Sequence, residues 1–257
     1  TIDTNFSTPH EIMSRAFFSN NVRKKVSDVV ARYDPDLIHI HKCQRYPASV
    51  LFACKNYPSL KTHHDFTTVC PSGWGVYADT YKPCPCGPGM KCINHNCRPV
   101  TEMVGFYLPY YNVKMRFEKR LIDHHIAPSN ALTTVLDRFG YDTTTINNPT
   151  IFEPKEKPIT PSRHDRLLYV GRLSAAKGVQ RLVDVVLRWD KTPDNFSLTI
   201  VGDGPMREQL EETVTQEDPI EFYGYVDDTV LKKLYQTSRG VMVPSIWQDN
   251  FPTVIIE

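Results

Sequence analysis

Arg172 and Lys177 lie in the stretch Gly171-Arg172-Leu173-Ser174-Ala175-Ala176-Lys177-Gly178, which directly follows the hydrophobic run Leu167-Leu168-Tyr169-Val170. A strand that ends in glycine and two cations and then turns into a helix is suited to holding a diphosphate. Guanidinium offers a bidentate fork and ammonium a point charge, and the helix N-terminus near Gly178 adds its dipole. One preorganised donor of this kind is worth on the order of 3 kcal/mol against charge that develops on a leaving phosphate. Protein cations in that role leave no need for a divalent metal. Further along, Asp249 and Glu257 stand eight positions apart in Trp247-Gln248-Asp249-Asn250-Phe251-Pro252-Thr253-Val254-Ile255-Ile256-Glu257, where a helix is expected to open. A carboxylate that accepts two hydroxyl hydrogen bonds reads a sugar or ribose diol. Together the two segments point to an enzyme that uses a nucleotide-sugar. Each also has a plainer reading: a surface Arg and Lys beside a tight turn, and a Glu257 stabilised by the helix dipole alone.

Two other groups of residues invite chemistry. His64 precedes Asp65 at an expected strand end, although a lone histidine is more often structural and His63 stands beside it. Of the seven cysteines, Cys84, Cys86, Cys92 and Cys97 crowd into fourteen residues rich in Pro and Gly, while Cys43, Cys54 and Cys70 are scattered. Four thiolates in one loop could hold a structural zinc, act as redox-labile thiols, or be plain loop cysteines. The odd total and the lack of a secretory signal argue against a disulfide scaffold. The aromatics Phe106, Tyr107, Tyr110 and Tyr111 either line an acceptor groove or, on the usual burial of such rings, pack.

The two donor-side segments resemble the retaining glycosyltransferases of the GT-B fold, most closely family 4 (glycosyl transferases group 1), whose hallmarks are G-R-x4-K-G and E-x7-E. Arg172 and Lys177 match the first; in the second, Asp249 stands where the family usually has glutamate, and Glu257 is as expected. Further resemblances are Pro35-Asp36-Leu37-Ile38-His39-Ile40-His41, His64-Asp65, Ala127-Pro128-Ser129 and Ile146-Asn147-Asn148-Pro149. The resemblance implies an α/β fold: a GT-B-like pair of Rossmann-type domains with parallel sheets. The acceptor-side domain would be residues 1–152, with a Cys-rich insertion at about 70–99, a linker 153–165, and a donor-binding domain 166–257. It implies that both domains are incomplete, since the family's opening glycine-rich loop and crossover helix are not found in the chain.

By the same resemblance, Glu257 holds the nucleotide ribose and Asp249 the donor-sugar hydroxyls. Arg172 and Lys177 neutralise the diphosphate, and His64 faces the sugar from the first domain. Gly171, Val226, Asn250, Phe251 and Thr253 complete the donor site; Pro252 has no N–H to offer. The implied reaction moves a sugar from a UDP- or GDP-sugar to a carbohydrate or lipid-linked acceptor, by same-face attack with the leaving phosphate as base. No catalytic cofactor is needed. Polysaccharide or glycolipid synthesis in the cytoplasm follows from the family, with peripheral membrane contact left open. Two alternatives stand beside it: a nucleotide-sugar epimerase of the same fold, and an inactive fragment acting as a metal-held binding module.

Size and charge agree with this. The 257 residues allow one large or two ordinary domains, with 40% hydrophobic and 23% charged residues. A net charge of +1 gives no reason to invoke nucleic acid. Prolines 154, 158 and 161 among charges mark the linker. In the first half, periodicity predicts a helix from Val22 to Arg32, a strand over 37–41, and helices over 48–56, 112–125 and 131–139. In the second half, strands at 167–170, 197–201, 220–222 and 240–244 alternate with helices at 179–189, from Pro205, and at 228–237. Such alternation implies a parallel sheet whose ligands bind off the strands' carboxyl ends.

Overall fold

A computed structural model describes residues 18–41, 47–150, 165–190 and 193–257. The chain divides into two compact units, Thr1–Asn148 and Pro149–Glu257. Cys43 and the expected linker up to residue 164 lie outside the described residues; Asp165 already belongs to a strand.

In the first unit, α1 (Asn20–Tyr33) starts at Ser19, whose hydroxyl accepts from the Val22 N–H, and stops at Asp34 in the left-handed region, φ 40°. Next come β1 (Ile38–Ile40), α2 (Pro47–Cys54) and β2 (Ser59–Thr62). After the Cys-rich stretch, which includes α3 (Met90–Asn94), a π-helical segment Met103–Tyr107 leads into α4 (Leu108–Leu121). The unit closes with β3 (His124–Ala127), α5 (Asn130–Arg138) and β4 (Thr143–Thr145). The sheet runs β1-β2-β3-β4, parallel throughout. The expected helix over 112–125 is corrected at its end: Ile122 turns extended and His124 and His125 pair in β3. Ile122 is an apolar residue buried with Ile40 and Leu51, so the chain leaves the helix there to feed the sheet.

The second unit contains β5 (Asp165–Val170), α6 (Val179–Leu187), β6 (Phe196–Val201), α7 (Arg207–Thr213), β7 (Ile220–Gly224), α8 (Asp228–Thr237) and β8 (Gly240–Val241). Its parallel sheet has the order β7-β6-β5-β8. Helix α6 buries Val179, Leu182, Val183 and Val186 against Leu198 and Ile200 of β6. Two expectations are adjusted. Pro205 precedes α7 instead of opening it, and β8 pairs over two residues only, although the Met242 N–H still donates to Leu168 O. Both units are α/β with parallel sheets. In the order β7-β6-β5-β8 the connections reverse direction between β5 and β8, and ligands bind at such a switch point.

Candidate functional site

Three close backbone approaches build the carboxyl end of the second sheet. A Cβ on Gly202 would lie 2.1 Å from Gly171 O, and one on Gly204 2.4 Å from Leu173 O. These glycines let the turn after β6 press against the turn after β5, where Leu173 N–H donates to Asp203 O. Gly178, at φ +70°, admits Pro244 O to within 2.0 Å of where a Cβ would stand. Ile246 N–H then donates to Ala176 O at 3.0 Å. The segment after β8 is thereby laid along the 3-10 turn Ala175–Lys177.

That docking brings Lys177 and Asp249 together across the switch point. Lys177 Nζ lies 2.5 Å from Asp249 Oδ2, with the side chains 27% and 14% exposed. Asp249 Oδ2 also accepts from Ser245 Oγ at 3.0 Å. The ammonium sits 5.3 Å from the centre of the Trp247 ring. Arg172 is exposed, and its carbonyl accepts from the Tyr169 hydroxyl at 2.9 Å, which fixes the turn from Gly171. Asp249 therefore grips Lys177 here, a contact the sequence reading did not foresee.

Between the two acids the chain bends at Phe251, φ 57°, a left-handed conformation unusual for an aromatic residue. Pro252 then leads into the 3-10 turn Thr253–Ile255, and Glu257 N–H donates to Thr253 O at 3.0 Å. Glu257 thus stands at the end of the first helical turn, where its Oε2 accepts from the Tyr235 hydroxyl at 2.8 Å. Tyr235 comes from α8, another residue that the linear pattern did not single out. Val226 follows β7 and packs beside Leu168, Val201 and Leu234, while its neighbour Tyr225 is 88% exposed.

In the first unit the two adjacent histidines separate in role. His63 is buried and bonds Thr68 Oγ1 at 2.7 Å and His125 Nδ1 at 3.0 Å. His64 is exposed at the carboxyl end of β2, its Nε2 3.0 Å from His41 Nδ1. Asp65 turns away to cap the 3-10 turn Phe66–Thr68, accepting from Thr67 N–H at 2.9 Å. Beneath lies a buried ionic cluster. Glu118 Oε1 lies 2.5 Å from Lys61 Nζ and 3.4 Å from Lys114 Nζ. Burial alone would raise the Glu118 pKa, but the two ammonium groups outweigh it and hold the carboxyl well below the usual range.

The expectation of a zinc site at Cys84, Cys86, Cys92 and Cys97 is corrected. Among the described residues no group of three or more His, Cys, Asp or Glu side chains is placed to hold a metal ion. Two of the four thiols meet local carbonyls, Cys86 Sγ at 3.6 Å from Cys84 O and Cys92 Sγ at 3.8 Å from Gly87 O. Cys86 also packs with Cys70, Phe66 and Val69 in an apolar cluster. For the aromatics, packing wins at Tyr110 and Tyr111, which are buried, and the Tyr111 hydroxyl donates to Thr67 O and Cys70 O. No described helix is long and apolar enough to cross a membrane.

Comparison with known proteins bears on the second unit most directly. An uncharacterized glycosyltransferase of Methanocaldococcus jannaschii is 34% identical over 85 residues, 32% of this chain and 22% of that protein. An alpha-1,4-N-acetyl-D-galactosaminyltransferase of Campylobacter jejuni, named for a PP-undecaprenol-linked glycan, is 29% identical over 97 residues, 37% of this chain and 26% of that protein. Among solved structures, Anabaena HepE in complex with UDP superposes with a TM-score of 0.62 at 19% identity, over 91% of this chain and 59% of HepE. The chain thus spans well under the full length of the proteins it matches. Residues 151–257 match the family Glycosyl transferases group 1.

Proposed function

We propose that the whole protein is a retaining glycosyltransferase of family 4, moving a sugar from a UDP- or GDP-sugar to a carbohydrate or lipid-linked acceptor. The observation that carries this reading is the meeting of Lys177 and Asp249 at the switch point of the second sheet, inside the segment that matches the group 1 family. Lys177 and Arg172 take the diphosphate, and Glu257 the ribose. When a donor phosphate arrives it competes with Asp249 for the Lys177 ammonium, which releases the carboxylate toward the sugar hydroxyls. His64, with its exposed ring, is the group the first unit offers to the donor sugar. Gly171, Val226, Asn250, Phe251 and Thr253 line the donor site through their backbone and packing. The leaving phosphate serves as base, so attack occurs on the face that it departs from. UDP and UDP-glucose in the HepE complexes favour a uridine donor. A cytoplasmic place in polysaccharide or glycolipid synthesis, at or near a membrane surface, fits the PP-undecaprenol glycan in the Campylobacter enzyme's name.

The test is hydrolysis of UDP-glucose and of GDP-mannose by the whole protein, followed by proton NMR of the sugar first released. The α-anomer should form first, and turnover should vanish in an Arg172→Ala/Lys177→Ala variant. A β-anomer formed first would overturn retention. Turnover that survives the double substitution would overturn the donor site.

A further inference from the structure

We propose that His41 is a positioning residue for His64, holding that exposed imidazole in one tautomer and one orientation; the inference rests on the role of His64 proposed above. The two residues leave the carboxyl ends of β1 and β2, which are parallel neighbours. Their rings meet there edge to edge: His41 Nδ1 lies 3.0 Å from His64 Nε2, with centroids 5.2 Å apart and an interplanar angle of 20°. Behind His41 the His39 ring packs at 3.9 Å between centroids, and His39 Nε2 is anchored 2.8 Å from Thr62 Oγ1. A line of contacts therefore runs from Thr62 in β2 through His39 and His41 back to His64.

A neutral imidazole carries one N–H and one bare nitrogen. Of two facing ring nitrogens, one must donate and the other accept. The contact therefore ties the His64 tautomer to that of His41: His64 carries its proton on Nδ1 when His41 Nδ1 donates, and on Nε2 when His41 Nδ1 accepts. The near-coplanar rings suit an in-plane N–H···N bond, a restraint on ring rotation that a lone exposed imidazole lacks. Less ordering is then left to be done when the donor sugar binds. The His39 pKa is lowered, first by burial and then by His41 and His64, so the ring behind His41 resists protonation. His41 touches His64 and His39, so its part is to set a neighbour.

The experiment reads the His64 ring nitrogens by long-range proton–nitrogen correlation in the 15N-labelled protein, with His64→Ala to assign the signals. His41 is exposed, so its substitution leaves the fold in place. Wild type should show one dominant His64 tautomer, His41→Ala an averaged pair of nitrogen shifts, and His41→Asn, whose amide reproduces the Nδ1 position, one tautomer again. Identical His64 shifts in wild type and His41→Ala would overturn the proposal. UDP-glucose hydrolysis by the whole protein provides the second readout. His41→Ala should lower kcat about tenfold with KM held within about twofold, and His41→Asn should regain most of it. If His64→Ala slows hydrolysis and His41→Ala does not, the positioning role is overturned alone. If His64→Ala leaves the rate unchanged, the reading of His64 itself is overturned, whatever the ring shifts show.

Discussion

Replacing Glu118 with Gln should lower the stability of the first unit by about 3–5 kcal/mol, the cost of removing one partner from a buried ion pair. The carboxylate is 1% exposed and faces Lys61 and Lys114, whose side chains are 6% and 5% exposed. Gln keeps the shape and an acceptor for the Tyr141 hydroxyl, which donates to Glu118 Oε2 at 3.1 Å. It removes the one negative charge that Glu118 sets against both buried ammonium groups. Deprotonation of one lysine would relieve part of that, placing the result toward the lower end of the range. The pH dependence follows from the depressed pKa. The Glu118 contribution is fully present above the unfolded carboxyl value of about 4.3, and is lost as pH falls toward the folded value. The difference between wild type and Glu118→Gln should therefore shrink below about pH 4. Because the chain has two units, a global melt would mix them. Hydrogen exchange of the β2 and β3 amides reports the first unit alone. A difference in opening free energy under about 1 kcal/mol at neutral pH, or one undiminished near pH 3, would refute the account of this cluster.

Tyr235→Phe removes a hydrogen bond to Glu257 that is 2.8 Å long but only half-buried. At about 1 kcal/mol, UDP affinity should weaken roughly fivefold in calorimetric titration; an unchanged affinity would detach Glu257 from the nucleotide. Gly178→Ala forces a Cβ to within 2.0 Å of Pro244 O at a left-handed backbone position. It should cost more than about 2 kcal/mol in thermal unfolding and abolish UDP binding, by lifting the Asp249 segment off Lys177. His125 is held neutral by burial, its pKa lowered to about 4. Its contribution is full above the unfolded value of about 6.5 and lost as pH falls through the folded one, so the unfolding midpoint of the first unit should decline across that window. His125→Gln should flatten the decline.

The second unit was legible because its elements carry local signals. Asp227 accepts from the Thr229 and Val230 N–H groups and opens α8 where the sequence places it. The Gly-rich strand ends at 171 and 202 sit where the glycines allow backbone contact. Charged partners far apart in sequence were not legible. Lys177 meets Asp249 across 72 residues and Lys61 meets Glu118 across 57, and nothing in either neighbourhood announces the pairing. Parallel pairing of β2 on both sides buries Lys61 in the first unit. The cysteine cluster misled in the opposite direction. Close spacing in sequence suggested a metal, but among the described residues no three such side chains are placed to hold one, and Cys86 and Cys92 meet local carbonyls.

Calorimetric titration with UDP and with GDP, beside the Arg172→Ala/Lys177→Ala variant, tests the central claim most directly. The account predicts that one nucleotide binds and that binding is lost in the double variant, because the two cations supply the diphosphate contacts. Binding of equal strength in the variant would contradict it, as would the absence of binding by the whole protein to either nucleotide.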